Sequence, residues 1–328
     1  PTAYIVKSTD YCDAYATPVL TAGKSFILGK TNETDGIFDQ LPVIIFDDFT
    51  TATQFVNFRF KVKSSAMKIL HINTDLVIPK YIFYRLQIIQ FDHSTHKRYW
   101  IQSYSKIKVL IPPLDEQFRI VARIKELFSE LDKAVDTLKT TKEQLEVYRQ
   151  AVLKEIFDSV STTSVHIKDV CLDIKVGIVI KPTQYYVSEN GVPAFRNANV
   201  RRGYINDTDW VMISKEGHQQ NCRSEVHTND VLISRSGANL GMASVVPARY
   251  NGYNAIDVVI AVPDISKVIP EFLAQYTNSP MGRAIVKKNE RGAAQGHLNV
   301  TAYANLPIGV PDLQEQEKLV KQISDRLS

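Results

Sequence analysis

The chain has 328 residues, 44% of them hydrophobic and 23% charged, an ordinary globular mixture with enough apolar surface for two domains or one large one. Net charge is +4, unevenly spread: Asp115–Asp158 holds ten acids and eight bases, Pro311–Ser328 four and three, and the remaining stretches carry +7, which suits a polyanion partner as well as a soluble basic surface. No run approaches the ~18 apolar residues of a membrane span, Pro1-Thr2-Ala3-Tyr4 has no export character, and three scattered cysteines form no disulfide framework, so a cytoplasmic home is expected.

In chain order, Val43-Ile44-Ile45-Phe46 predicts a buried strand running into a turn at Asp47-Asp48. The alternation across Phe55–Val62 predicts a half-buried strand, and Pro79–Ile89 a short helix behind a proline start. Val109–Ile111 reads as a short apolar strand closed by Pro112-Pro113. From Asp115 to Asp158 there is neither Pro nor Gly, and every seventh residue gives Gln117, Ile124, Leu131, Leu138, Leu145 and Val152. The positions four later give Val121, Phe128, Val135, Lys142, Arg149 and Ile156. This is a heptad seam, weaker around Lys142 and Arg149, on a helix of roughly 66 Å at ~1.5 Å per residue. A rod of that length needs a partner helix to cover its stripe. Beyond it, Ile167–Ile174 predicts a strand or short helix. Asp230–Ser234 is a strand feeding the glycine turn Arg235-Ser236-Gly237-Ala238-Asn239-Leu240-Gly241, Ala255–Val262 another strand, and Pro270–Tyr276 a helix.

The chain repeats itself. Ile101–Ser129 and Val300–Ser328 align without gaps at an offset of 199, with identities at Tyr104/Tyr303, Pro112/Pro311, Leu114/Leu313, Glu116/Glu315, Gln117/Gln316, Val121/Val320, Ile124/Ile323 and Ser129/Ser328. Val77-Ile78-Pro79-Lys80-Tyr81 echoes Val268-Ile269-Pro270-Glu271-Phe272 upstream. Repeats in one order mark a duplicated unit. The expected fold class is α+β: two similar mixed α/β domains at residues 1–113 and 161–310, the first followed by a long helix at 114–160 and the second by the start of its copy at 311–328.

The Pro-x-Leu-x-Glu-Gln helix starts, the strand and glycine turn Asp230–Gly241, and Pro193-Ala194-Phe195-Arg196-Asn197-Ala198-Asn199-Val200 resemble the DNA-specificity subunit of type I restriction-modification systems over essentially the whole chain. The resemblance implies two target recognition domains, each reading half of a split site in double-stranded DNA. It implies that the two helices pack antiparallel, fix the gap between half-sites, and with nearby surfaces dock two modification subunits that carry the methyltransferase chemistry, with restriction subunits joining through the complex. The chain itself would then be non-catalytic, with no cofactor and no metal. Two departures from the family pattern stand out: unit one has no counterpart of Ser164–Gly177, and the second helix stops at Ser328, so both ends look trimmed.

For the helix pairing, the seam residues are Ile124, Phe128, Leu131, Val135, Leu138, Leu145, Val152, Val320 and Ile323. For DNA, Arg to guanine and Asn or Gln to adenine are the geometric matches, and Lys or Arg to phosphate supplies affinity. The candidates in the second unit are Arg196, Asn197, Asn199, Arg201 and Arg202, then Arg235, Ser236 and Asn239 on the glycine turn, then Lys287, Lys288, Arg291, Gln295 and His297. In the first unit they are His96, Lys97, Arg98 and Tyr99, with Lys24 a weaker addition. For each single residue a plain solvated charge is the competing reading.

Other chemistry finds little support. A methyltransferase needs a glycine-rich cofactor loop and an Asn-Pro-Pro-Tyr-like motif, and neither is present. Asp173-Ile174-Lys175 lacks the preceding acid of a nuclease. His218-x3-Cys222-x4-His227 lacks a fourth metal ligand. Gly237-x3-Gly241 lacks the Lys-Ser/Thr of a phosphate loop. Two alternatives stay open on sequence: the recognition part of a fused restriction-methylation enzyme, and a coiled-coil scaffold that binds only proteins.

Overall fold

The computed structural model describes residues 2–21, 25–90, 98–160, 162–288 and 297–327. The chain divides into two compact units, Pro1–Leu138 and Lys139–Ser328.

In the first unit the strands are β1 (Thr17–Leu20), β2 (Ile27–Thr31), β3 (Val43–Asp47), β4 (Thr53–Val56), β5 (Lys61–Val62) and β6 (Met67–Leu70). They form two three-stranded sheets, ordered β2-β1-β5 and β4-β3-β6. The continuous apolar run of β3 is buried throughout because it is the centre of its sheet. The expected single strand Phe55–Val62 is instead two short ones: β4 ends at Val56, and Phe60 then makes an isolated bridge to Phe38. Leu20, Phe38, Ile45, Phe60 and Val62 share the core. Lys61 of β5 lies in the interior, 2% exposed, with Nζ 2.7 Å from Glu33 Oε2 and donating to the Asp35 carbonyl at 2.6 Å. Glu33 also accepts from the backbone amides of Lys7 and Ser8. The Lys61 ammonium holds the Glu33 carboxyl down at about 2, against an ordinary 4.5. Stability from this contact is therefore complete above pH 4.5 and is lost as the pH falls toward 2. Acid titration of Glu33→Gln should show a flatter pH dependence through that window and a lower stability at neutral pH. Parallel curves for variant and parent would refute the role.

Two short helices follow, α1 (Pro79–Gln87) and α2 (Tyr99–Gln102). The expected strand Val109–Ile111 is not one: those residues are extended without a ladder partner, and the Tyr81 hydroxyl donates to the Leu110 carbonyl. The long helix α3 (Leu114–Asp158) is unbroken, as the absence of Pro and Gly requires.

The second unit contains β7 (Ser164–His166), β8 (Cys171–Val176), β9 (Tyr186–Val187), β10 (Val192–Phe195), the β11 (Val200–Arg201) and β12 (Tyr204–Ile205) hairpin, β13 (Val211–Ile213), α4 (Lys215–Gln220), β14 (Val231–Ser234), β15 (Ala243–Val245), β16 (Asn254–Ala255) and β17 (Val258–Pro263). After them come α5 (Pro270–Asn278), α6 (Pro280–Lys288), α7 (Val300–Ala304), β18 (Pro307–Gly309) and α8 (Leu313–Leu327). The main antiparallel sheet is β15-β14-β17-β8, and a mixed sheet runs β16-β10-β13-β9. The expected strand Ala255–Val262 breaks at Asp257, whose φ of 52° no regular strand allows.

The duplication is structural. In each unit a central strand pairs antiparallel with the next strand and with the one that precedes a proline-started helix, giving β4-β3-β6 and β15-β14-β17. β17 also pairs with β8, and β18 with β7. Among the described residues the first unit has no counterpart of β7 and β8, and Val109–Ile111 has no ladder partner. Gln117 and Gln316, both fully buried, make the same three bonds. Gln117 accepts from the Ile78 amide and donates to the Leu76 and Pro112 carbonyls. Gln316 does so with Ile269, Lys267 and Pro311.

The heptad seam has a mixed outcome. Val152 and Ile323, each 1% exposed, belong to the core of the second unit together with Ile156 and Phe157, and Val320 packs against that core. The Arg326 guanidinium makes two 2.9 Å bonds to the Glu155 carboxylate. Ile124 is half-buried. Phe128, Leu131, Val135, Leu138 and Leu145 are exposed. α8 covers only the last turns of α3, so the middle of the seam has no cover among the described residues. No helix among the described residues is long and apolar enough to cross a membrane.

Candidate nucleic-acid interface

The candidate site in the second unit is built from chain reversals at strand ends. β14 is buried along its length and delivers Arg235 and Ser236 to the turn that follows. Gly237 and Gly241 adopt φ of 71° and 74° there, which a side chain would resist. β10 ends at Phe195 and delivers Asn197, while the left-handed residue between β16 and β17 delivers Asp257.

These three reversals converge on Asn197. Its Oδ1 accepts from the Arg235 amide at 2.6 Å and the Ser234 hydroxyl at 3.0 Å. Its Nδ2 donates to Ser236 Oγ at 2.9 Å and Asp257 Oδ2 at 3.4 Å. Its backbone carbonyl accepts from Asn239 Nδ2 at 3.0 Å. Arg235 is held twice more: Nη1 lies 2.8 Å from Asp257 Oδ1, and Nε donates to the Leu298 carbonyl at 2.9 Å. His297 stands at the edge, Nδ1 3.9 Å from Asp257 Oδ2. Contacts at Nε and Nη1, on different edges of the planar fork, fix the orientation of the Arg235 guanidinium.

The candidates therefore separate. Asn197, Arg235, Ser236 and Asn239 come together, with His297 beside them and Arg201 reaching the Asn197 carbonyl at 3.5 Å. Asn199 is a correction: it is fully buried, accepting from the Arg196 amide and donating to the Asn206 and Thr208 carbonyls, so it shapes the turn and cannot touch DNA. Arg196 turns to the Asp209 carbonyl, and Arg202 pairs with Glu146. Tyr99 is a second correction. At 1% exposure it packs with Phe46 and Tyr104 in the core, because the Asp48 carbonyl and carboxylate hold the start of its helix inward. Arg98 lies over the Phe49 ring at 5.7 Å. Lys24, His96, Lys97, Arg291 and Gln295 lie outside the described residues, as do the side chains of Lys287 and Lys288.

Asp257 was not among the sequence candidates. A charged residue inside the apolar run Ala255–Val262 was the available signal. His218 and His227 flank Glu225, at 3.5 and 3.6 Å, and Cys222 is exposed. Among the described residues no group of three or more His, Cys, Asp or Glu could hold a metal ion.

Residues 153–327, more than half of the chain, match the family model of the type I restriction modification DNA specificity domain. The chain belongs to this family. Over 165 residues it is 45% identical to the type I restriction enzyme EcoR124I/EcoR124II specificity subunit of Escherichia coli, covering 47% of this chain and 41% of that protein. Over 237 residues it is 24% identical to the EcoBI specificity subunit of the same organism, covering 65% and 50%. The matches thus span half or less of these relatives. A chain from a structure on complex assembly and conformational transition of the type I R-M system shares the fold, with a TM-score of 0.59 and 19% identity over 86% of this chain and 73% of that one. In this family member, the cluster around Asn197 falls inside the matched specificity domain.

Proposed function

We propose that the chain is a DNA-binding specificity subunit of a type I restriction-modification system, non-catalytic itself, reading a bipartite site. The observation that carries this reading is the preorganised polar cluster of Asn197, Arg235, Ser236 and Asn239 within the region matching the DNA specificity domain. The recognition domains are residues 1–113 and 161–310, with conserved helices at 114–160 and 311–328. The partners are double-stranded DNA and methyltransferase subunits, two of the latter, with restriction subunits joining through the complex in the cytoplasm.

The test is fluorescence anisotropy with a duplex carrying the target that the chain selects from a randomised library. Arg235→Ala should weaken the specific site about 5- to 150-fold, the equivalent of ~1–3 kcal/mol, with little effect on random duplex. Equal loss on both sequences would assign Arg235 to the backbone, and no loss on either would remove it from the interface.

A further inference from the structure

A second basic site lies away from the Asn197 cluster, still within the second unit. A cavity of 540 Å³ is lined by Glu146, Val147 and Gln150 of α3, Arg202 on the β11–β12 turn, and Pro280 and Arg283 at the start of α6. Arg149 stands behind it, its Nη2 donating to the Arg202 carbonyl at 3.2 Å. Three guanidiniums thus meet one carboxylate, Glu146, which pairs with Arg202 at the surface. Arg202, with 18% of its side chain exposed, and the half-buried Arg283 line the cavity itself, while Arg149 adds positive charge from behind.

Burial pushes Arg149 and Arg283 below the ordinary guanidinium value, and for Arg283 the nearby Arg202 adds to it. Since guanidinium does not deprotonate in proteins, the strain is relieved by an anion and not by loss of a proton. The N-terminus of α6 adds its positive dipole end, with Ser279 Oγ capping the Gly282 amide. The negative balance of the long helix does not oppose this: residues 139–158 hold four acids and four bases, and the excess of acid lies earlier.

We propose that this pocket is a phosphodiester site that grips the DNA backbone without reading bases, an inference that rests on the DNA-binding role proposed above. A phosphodiester fits better than a protein carboxylate. Net charge around the cavity stays positive after Glu146 is counted, several fork-shaped donors converge on it, and the volume exceeds what one carboxylate fills.

The experiment measures binding of the full chain to a random-sequence duplex and to the selected duplex across a salt series, with Arg202→Gln, Arg283→Gln and Glu146→Gln. Each arginine variant should lower the slope of log affinity against log salt by about one and weaken both duplexes equally. Arg202→Lys should restore most of the slope. Glu146→Gln, on a side chain 54% exposed and so without a core role, should tighten both duplexes severalfold. Thermal unfolding checks that the variants fold. Unchanged slopes in folded variants would overturn the phosphate site alone. So would weaker binding of a glutamate-rich peptide with DNA binding intact, which would assign the pocket to a protein acid. Absence of duplex binding by the parent chain would overturn the DNA-binding role as well.

Discussion

Gln316→Leu should destabilise the second unit by about 1.5–4.5 kcal/mol, with Gln117→Leu doing the same to the first, because each removes one bond from a backbone amide and two to backbone carbonyls at ~0.5–1.5 kcal/mol apiece. Both glutamines are fully buried and each ties the start of a long helix to the segment before the proline-started helix. The leucine has nearly the same volume, so the loss isolates the hydrogen bonds from packing. Against a domain stability of about 5–15 kcal/mol, that loss is a large fraction, so the urea midpoint of the affected unit should fall well below the parent's. Urea unfolding followed by far-ultraviolet dichroism measures it. A change below about 1 kcal/mol at either site would mean the repeated glutamine is incidental.

Inserting four helix-forming residues after Lys142 should widen the gap between selected half-sites while leaving the half-sites themselves unchanged. Four residues add about 6 Å to a helix, close to two base-pair steps of about 3.4 Å. They also add only ~40° of rotation beyond a full turn at 3.6 residues per turn. Lys142 suits the insertion because residues 141–148 are exposed, so no core contact is cut. Selection from randomised duplexes reads the outcome. A gap identical to the parent's would show that α3 does not set the spacing.

What the sequence made legible was whatever depends on period and repetition. The long helix follows from a heptad pattern free of Pro and Gly, and the duplicated units from the spaced identities around Tyr104 and Tyr303. Strand limits were less visible, since a run such as Ala255–Val262 hides a left-handed Asp257 that only the tertiary contact with Arg235 explains. Polar residue types misled at Tyr99 and Asn199, which are buried inside the fold. For Asn199 the bond from the amide three residues earlier is one of the local side-chain-to-backbone contacts open to asparagine. Arg149 and Arg283 were illegible because their surroundings come from segments more than fifty residues apart. The seam was legible as a stripe, but its exposure between Phe128 and Leu145 depends on how far α8 reaches, which periodicity does not encode.

Two related domains should read two short sequences held at one separation. The deciding measurement is selection of the parent chain's targets from a randomised duplex library, followed by sequencing. Two short motifs with a single fixed, unselected gap between them should be enriched. Enrichment of one continuous motif, or of two motifs at freely varying separation, would contradict it.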